Sequence, residues 1–291
     1  MKIAAYLHDG RPGAGLVSAD LQSVRPIVIP GADPALGALP LIEALARGEQ
    51  LPPAAEAIAL ASVRLTAPLP RPRRNIFCVG KNYHAHAREF AGSGFDSSAK
   101  SGGEIPAHPI IFTKVPECVV GPHDDIVLPR GVSEAIDYEA ELALVIGRGG
   151  KGIKAADALS HVWGYTIVND VTARDWQSRH QQWHLGKSFD TFCPMGPWLV
   201  SADECDGTNT QVKCWVNGEL RQDASTKDFI FDIPTLLETI SAGIPLYPGD
   251  MIATGTPVGV GIGFKPPKYL QAGDLVKMEI EGIGAIENRV R

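Results

Sequence analysis

The chain has 291 residues, 44% hydrophobic and 21% charged, with a formal net charge of −6. This is the balance of a soluble globular protein with one large domain or a large and a small one, and with no lysine or arginine block it argues against nucleic acid or an anionic membrane as partner. No run of about 18 apolar residues could span a membrane, MKIAAYLHDG lacks a signal-peptide core, and five scattered cysteines without a CxxC pair suit buried thiols in a reducing cytoplasm.

Residues 1–70 are expected to form a small α+β domain. KIAAYLHDG and GAGLVSAD read as short strands around Arg11-Pro12-Gly13, and Leu36 to Arg47 carries helical spacing that stops at Gly48. The proline-rich stretch from Ala67 to Arg74 reads as a linker. Strands then dominate residues 74–291: NIFCVG, PIIFTK, CVVG, DDIVLP, DYEAELALVIG, WGYTIVND, WLVSA, QVKCWVNGEL, DMIATG and DLVKMEIEGIGAIENRV. Helices are few: Tyr83 to Phe90, Ala155 to Leu159, Thr172 to about Gln181, and Ile233 to Ser241. The order predicts a mostly-β sandwich or rolled sheet with some α structure, not a doubly wound nucleotide fold. The Gly/Ser-rich stretch from Gly92 to Ala107 is either a plain loop or part of a lid over a site, a lid region spanning about 83–107.

Asp137, Glu139 and Glu141 stand at alternate positions of one apolar strand. A period of two places all three carboxylates on one face, with Tyr138, Ala140, Leu142, Leu144 and Ile146 on the buried one. Crowded like charges invite a divalent cation, against the alternative of a solvated edge strand. Asp170, where a strand gives way to a helix, reads as an N-cap or as a further ligand. An all-oxygen set favours magnesium, manganese or calcium over zinc. In the helix after Tyr83, Glu89 stands three residues beyond His86 and can hold its imidazole as a general base, with His84 nearby. Lys187 lies in HLGKSFDTFCPMG as either a surface side chain or a cation for a developing anion. Cys193 invites a nucleophile reading without any matching protease motif. The glycine-rich TGTPVGVGIGF, with Thr256, offers backbone amides to a substrate carboxylate or forms a plain turn, and it lacks a nucleotide-binding pattern.

NIFCVGKNYHAHAREF, PIIFTK, DYEAELALVIG, YTIVNDVTARDWQ, GKSFDTFCPMGPW, VNGELRQ and PGDMIATGTPVGVG, in this order, resemble the fumarylacetoacetate hydrolase family from about residue 74 to the end. Members with a short N-terminal domain are most similar, the acylpyruvate hydrolase and oxaloacetate decarboxylase group. The resemblance implies a mixed β-sandwich roll in homodimers, with Glu139, Glu141 and Asp170 binding magnesium or manganese. It implies that His86 and Glu89 activate water on a lid, that Lys187 and Gln177 meet the substrate, and that Thr256 meets its carboxylate. Arg174 joins the substrate-binding set in a supporting role, and Asp137 also supports. The expected reaction is hydrolysis of a 2,4-dioxo acid, an acylpyruvate such as fumarylpyruvate or maleylpyruvate, through a metal-stabilised enolate. The same site would serve an oxaloacetate decarboxylase or a 2-oxo-acid isomerase. A non-catalytic, metal-stabilised binder of small acids would leave the dyad and Lys187 without a role.

Overall fold

The computed structural model describes residues 1–91 and 105–291. The N-terminal part supplies β1 (Lys2–His8), β2 (Arg11–Val17), β3 (Ser23–Pro26), α1 (Leu39–Ala46), β4 (Ile58–Ala59) and β5 (Arg64–Thr66). Next come β6 (Ile76–Gly80), α2 (His84–Ala91), β7 (Ile110–Lys114), β8 (Val119–Val120), β9 (Ile136–Asp137), β10 (Ala140–Ile146), β11 (Val162–Asn169), β12 (Thr172–Ala173), α3 (Arg174–Arg179) and α4 (His184–Lys187). The remainder is β13 (Cys193–Ser201), β14 (Gln211–Val216), β15 (Glu219–Ser225), α5 (Ile233–Ser241), β16 (Met251–Ala253), β17 (Leu275–Ile280) and β18 (Gly284–Arg289).

One long sheet runs β4-β3-β2-β1-β13-β11-β10-β16-β6-β7, with β5 also on β1 and β8 on β13. A second sheet, β15-β14-β17-β18, packs on its middle strands. Side-chain pattern explains the layering. β14 and β17 alternate between half-buried and buried positions, so one face meets the core and the other meets solvent. β10 and β13 are buried along their whole length, as strands covered on both faces must be. The fold is therefore the strand-rich α+β arrangement read from the sequence.

Several local expectations change. The acidic strand is broken: Asp137 closes β9, β10 starts at Ala140, and Tyr138 and Glu139 lie between them. Side chains take the amides there, Asn169 Oδ1 accepting from Glu139 N at 3.1 Å and Gln222 Oε1 from Ala140 N at 3.0 Å. β10 pairs with β11 and β16 on its two sides, which removes the solvated-edge alternative. Thr172 and Ala173 pair with β9, so the following helix starts only at Arg174. DDIVLP forms no strand of its own; Ile126 makes an isolated bridge to Val290. The proline-rich stretch is packed rather than a free linker, because Leu69 is buried and Arg74 grips Asp250, Nε donating at 3.0 Å. β1 continues the long sheet through β13, Lys2 opposite Val200 and Ile3 opposite Leu199.

Candidate active site

The strand break delivers Glu139, the start of β10 delivers Glu141, and Asp170 directly follows β11. Oxygens of these three buried carboxylates lie within 4.8 Å of one another. Lys187, at the end of α4, donates from Nζ to Glu139 Oε2 at 2.8 Å and Asp170 Oδ2 at 2.7 Å. Arg174 Nη1 lies 2.7 Å from Glu139 Oε1. Burial opposes ionisation of Glu139, yet Lys187, Arg174 and His86 outweigh it and bring that carboxyl down to about 2. Glu141 goes the other way. Burial first, then the charges of Asp170 and Glu139, push its pKa far up, against Lys187 and one amide bond from Gly255 at 2.8 Å. An all-oxygen cluster in which Glu141 has no ion pair of its own fits a hard divalent cation such as magnesium or manganese. Glu139, Glu141 and Asp170 are the residues that could hold it.

Asp137 does not join this cluster. Its carboxylate accepts from the amides of Tyr138, Gly261 and Ile262 and from Arg174 Nε at 2.8 Å, so it anchors the guanidinium. Asp170 is no helix cap either: both its oxygens are taken by lysines, and the residue before α3 makes no side-chain cap. The surface reading of Lys187 fails, since it is buried. Cys193 is buried in β13, its thiol pushed well up by the hydrogen bond it donates to Cys118 and by burial, and it does not line the pocket.

On α2, His86 Nδ1 lies 3.1 Å from Glu89 Oε2, both groups largely shielded from solvent, while His84 is exposed. Glu89 acceptance at Nδ1 leaves Nε2 as the basic nitrogen. His86, Glu139, Glu141, Arg174, Gln177, Lys187 and Thr256 line one pocket together. Opposite the carboxylates stand Phe90, Phe112 and Trp183, with Phe112 and Trp183 ring centres 5.3 Å apart. Gly80 admits the indole, for a Cβ there would lie 2.2 Å from Trp183. Arg174 Nη2 is buried without a hydrogen-bond partner among the described residues, which leaves a donor for a ligand. The Gly/Ser-rich stretch expected as loop or lid lies, apart from residues 105–107, outside the described residues.

The glycine-rich run behaves differently from expectation. Four of its amides are taken by the protein's own carboxylates: Gly255 N by Glu141, Gly259 N by Glu89 at 3.0 Å, and Gly261 and Ile262 N by Asp137. The run holds the site together instead of offering those amides to substrate. Thr256 does face the pocket, its hydroxyl accepting from Gln222 Nε2 at 2.8 Å.

Three participants escaped the sequence reading. Lys81 lines the pocket with its ammonium 5.6 Å from the Phe90 ring centre, Lys114 holds Asp170 from behind, and Gln222 ties Thr256 to the strand break. A lysine closing an otherwise apolar strand, as in PIIFTK, was the available signal for Lys114.

Comparison with known proteins bears on these observations. Residues 75–291 match the fumarylacetoacetate (FAA) hydrolase C-terminal family. The chain is 50% identical over 232 residues to oxaloacetate tautomerase YisK of Bacillus subtilis, covering 79% of this chain and 74% of that protein. Its fold matches fumarylacetoacetate hydrolase from psychrophilic Exiguobacterium antarcticum with a TM-score of 0.83 and 41% identity, over 100% of this chain and 99% of the other. Maleylpyruvate hydrolase from Sphingobium sp. SYK-6, solved with manganese(II) and pyruvate, matches with a TM-score of 0.77 and 32% identity over 100% and 98%. With its sheet order, its buried acidic cluster and these matches in agreement, the chain belongs to the fumarylacetoacetate hydrolase family of enzymes.

Proposed function

We propose that this protein is a divalent-metal-dependent enzyme of 2-oxo acids that moves the C3 proton of oxaloacetate, interconverting its keto and enol forms. The observation that carries the reading is one pocket with three clustered carboxylates and the His86–Glu89 pair on its walls. The 50% identical Bacillus tautomerase supports the substrate. Glu139, Glu141 and Asp170 would hold magnesium or manganese, and an ion bound there supplies the positive charge that favours enolisation. His86 Nε2, with Nδ1 kept by Glu89, takes the proton from C3 as the C3–H electron pair becomes the C2–C3 double bond. The 2-oxo oxygen gains a proton from solvent. Lys187 adds a cation where that oxygen becomes negative. The unpartnered Arg174 Nη2, with Gln177 beside it and Thr256, receives substrate carboxylate.

Hydrolysis of acylpyruvates is the second reading, favoured by the same shielded dyad, which is suited to activating water. There His86 accepts a proton from water, the oxygen adds to the C4 carbonyl, and the C3–C4 pair leaves as the enolate of pyruvate, which takes the proton back from His86 as the carboxylic acid is released. The Sphingobium maleylpyruvate hydrolase supports it. Following the ultraviolet absorbance of enol-oxaloacetate with Mn²⁺, with and without chelator, tests the first reading. A coupled assay for pyruvate from oxaloacetate and from acylpyruvates runs beside it. Chelator-sensitive loss of enol without pyruvate is expected. Faster pyruvate release from an acylpyruvate installs hydrolysis instead, and release from oxaloacetate installs decarboxylation.

A further inference from the structure

We propose that Lys114 is a positioning residue that fixes, from behind the pocket, both the carboxylate of Asp170 and the main chain of Lys187. The inference rests on the reading that Glu139, Glu141 and Asp170 hold a divalent ion. Lys114 is the last residue of β7, the terminal strand of the long sheet, and it is wholly buried. Its Nζ donates to Asp170 Oδ1 at 2.7 Å, to Val171 O at 3.1 Å and to Lys187 O. An ammonium has three donors, so all are accounted for.

These bonds close a ring. Asp170 uses Oδ1 for Lys114 and Oδ2 for Lys187 Nζ, while the carbonyl of Lys187 returns to Lys114. The orientation of the carboxylate and the path of the chain that delivers Lys187 are thereby set by one ammonium. Lys187 ends α4, where carbonyls lack a partner within the helix, so a buried donor is needed there. Lys114 does not line the pocket, so its influence on the site passes through Asp170 and Lys187. A neutral side chain at 114 leaves one carboxylate oxygen and two carbonyls without their donor. Asp170 is then held only through Oδ2 by Lys187, and an ion loses a preorganised ligand.

Calorimetric titration of the metal-free protein with Mn²⁺ tests this on wild type, Lys114→Met and Lys114→Arg. Outer-shell partners of ligands are worth about 10–100-fold in affinity. Lys114→Met is expected to weaken Mn²⁺ binding by at least about tenfold, with circular dichroism unchanged. Lys114→Arg, which keeps the charge, is expected to recover part of the loss. A folded Lys114→Met with a smaller change overturns the proposal. A wild type that binds no Mn²⁺ overturns the metal reading instead, so the two failures are distinguishable. Should Lys114→Met not fold, Lys114→Gln is read in the same titration. If neither folds, Lys114 is a structural residue only and the proposal falls.

Discussion

Glu141 carries the clearest physical signature in the site, because its ionised form is disfavoured by burial and by two neighbouring carboxylates. Among the described residues its one hydrogen bond comes from the Gly255 amide, and no lysine or arginine forms an ion pair with it. Glu141→Gln keeps shape and that amide bond while removing the charge. Mn²⁺ affinity measured by calorimetry is expected to fall by at least about tenfold, while the metal-free melting temperature stays level or rises by a few degrees, since a buried repulsion disappears. A variant that melts much lower would mean that Glu141 serves packing rather than charge. For His86→Ala the expectation is reversed. Turnover drops by about 10²–10⁴-fold, the range of a general base, with Mn²⁺ affinity kept within about threefold, because His86 holds no oxygen of the cluster. Undiminished turnover would remove it from the mechanism.

Among the elements, the glycine-rich run after β16 has the widest reach. It touches the dyad through Glu89, the carboxylate cluster through Glu141, and the Arg174 anchor through Asp137. At Gly263 an added Cβ would stand 2.1 Å from Glu89 Oε1, the end of a flexible side chain. Glu89 then moves and the backbone need not. Gly263→Ala is therefore expected to lower kcat at least about tenfold through a misplaced His86, while calorimetry finds Mn²⁺ binding unchanged. Loss of both together would show that the run deforms as a unit. The strand break at Tyr138 and Glu139 follows the same logic, because Asn169 and Gln222 take amides that a strand partner would otherwise hold.

At the scale of the whole molecule, β1 covers an edge of β13, a nine-residue strand buried along its full length. Bare apolar edges pair with other chains. A chain starting at residue 74 is expected to aggregate on size-exclusion chromatography. A monodisperse fragment that binds Mn²⁺ would show that the N-terminal part folds and serves separately. The homodimer implied by the family is kept as a proposal, and sedimentation equilibrium should then give twice the 31.1 kDa of the chain. A species at the single-chain mass would overturn it.

Strand-rich architecture, the acidic pair Glu139 and Glu141, and the His86–Glu89 pair were legible in the sequence, because period-two spacing and i, i+3 neighbours are local properties, whereas Asp170 stood open between cap and ligand until the family resemblance was added. Local order also separated Lys187 as a cation among apolar residues. It gave Asp137 only a supporting role and did not show what it supports, since the break in the strand depends on Asn169 and Gln222, both distant along the chain. It left the glycine-rich amides between a substrate carboxylate and a plain turn, whereas Glu89, Asp137 and Glu141 claim four of them. Lys114 stayed hidden for the same reason: its acceptors lie 56, 57 and 73 residues away. Sequence alone determined which charges exist and which of them share a strand face or a helix turn. Only tertiary structure decided which acceptor each buried donor meets, because an unpaired polar group is costly inside the protein and burial brings together groups that are remote along the chain.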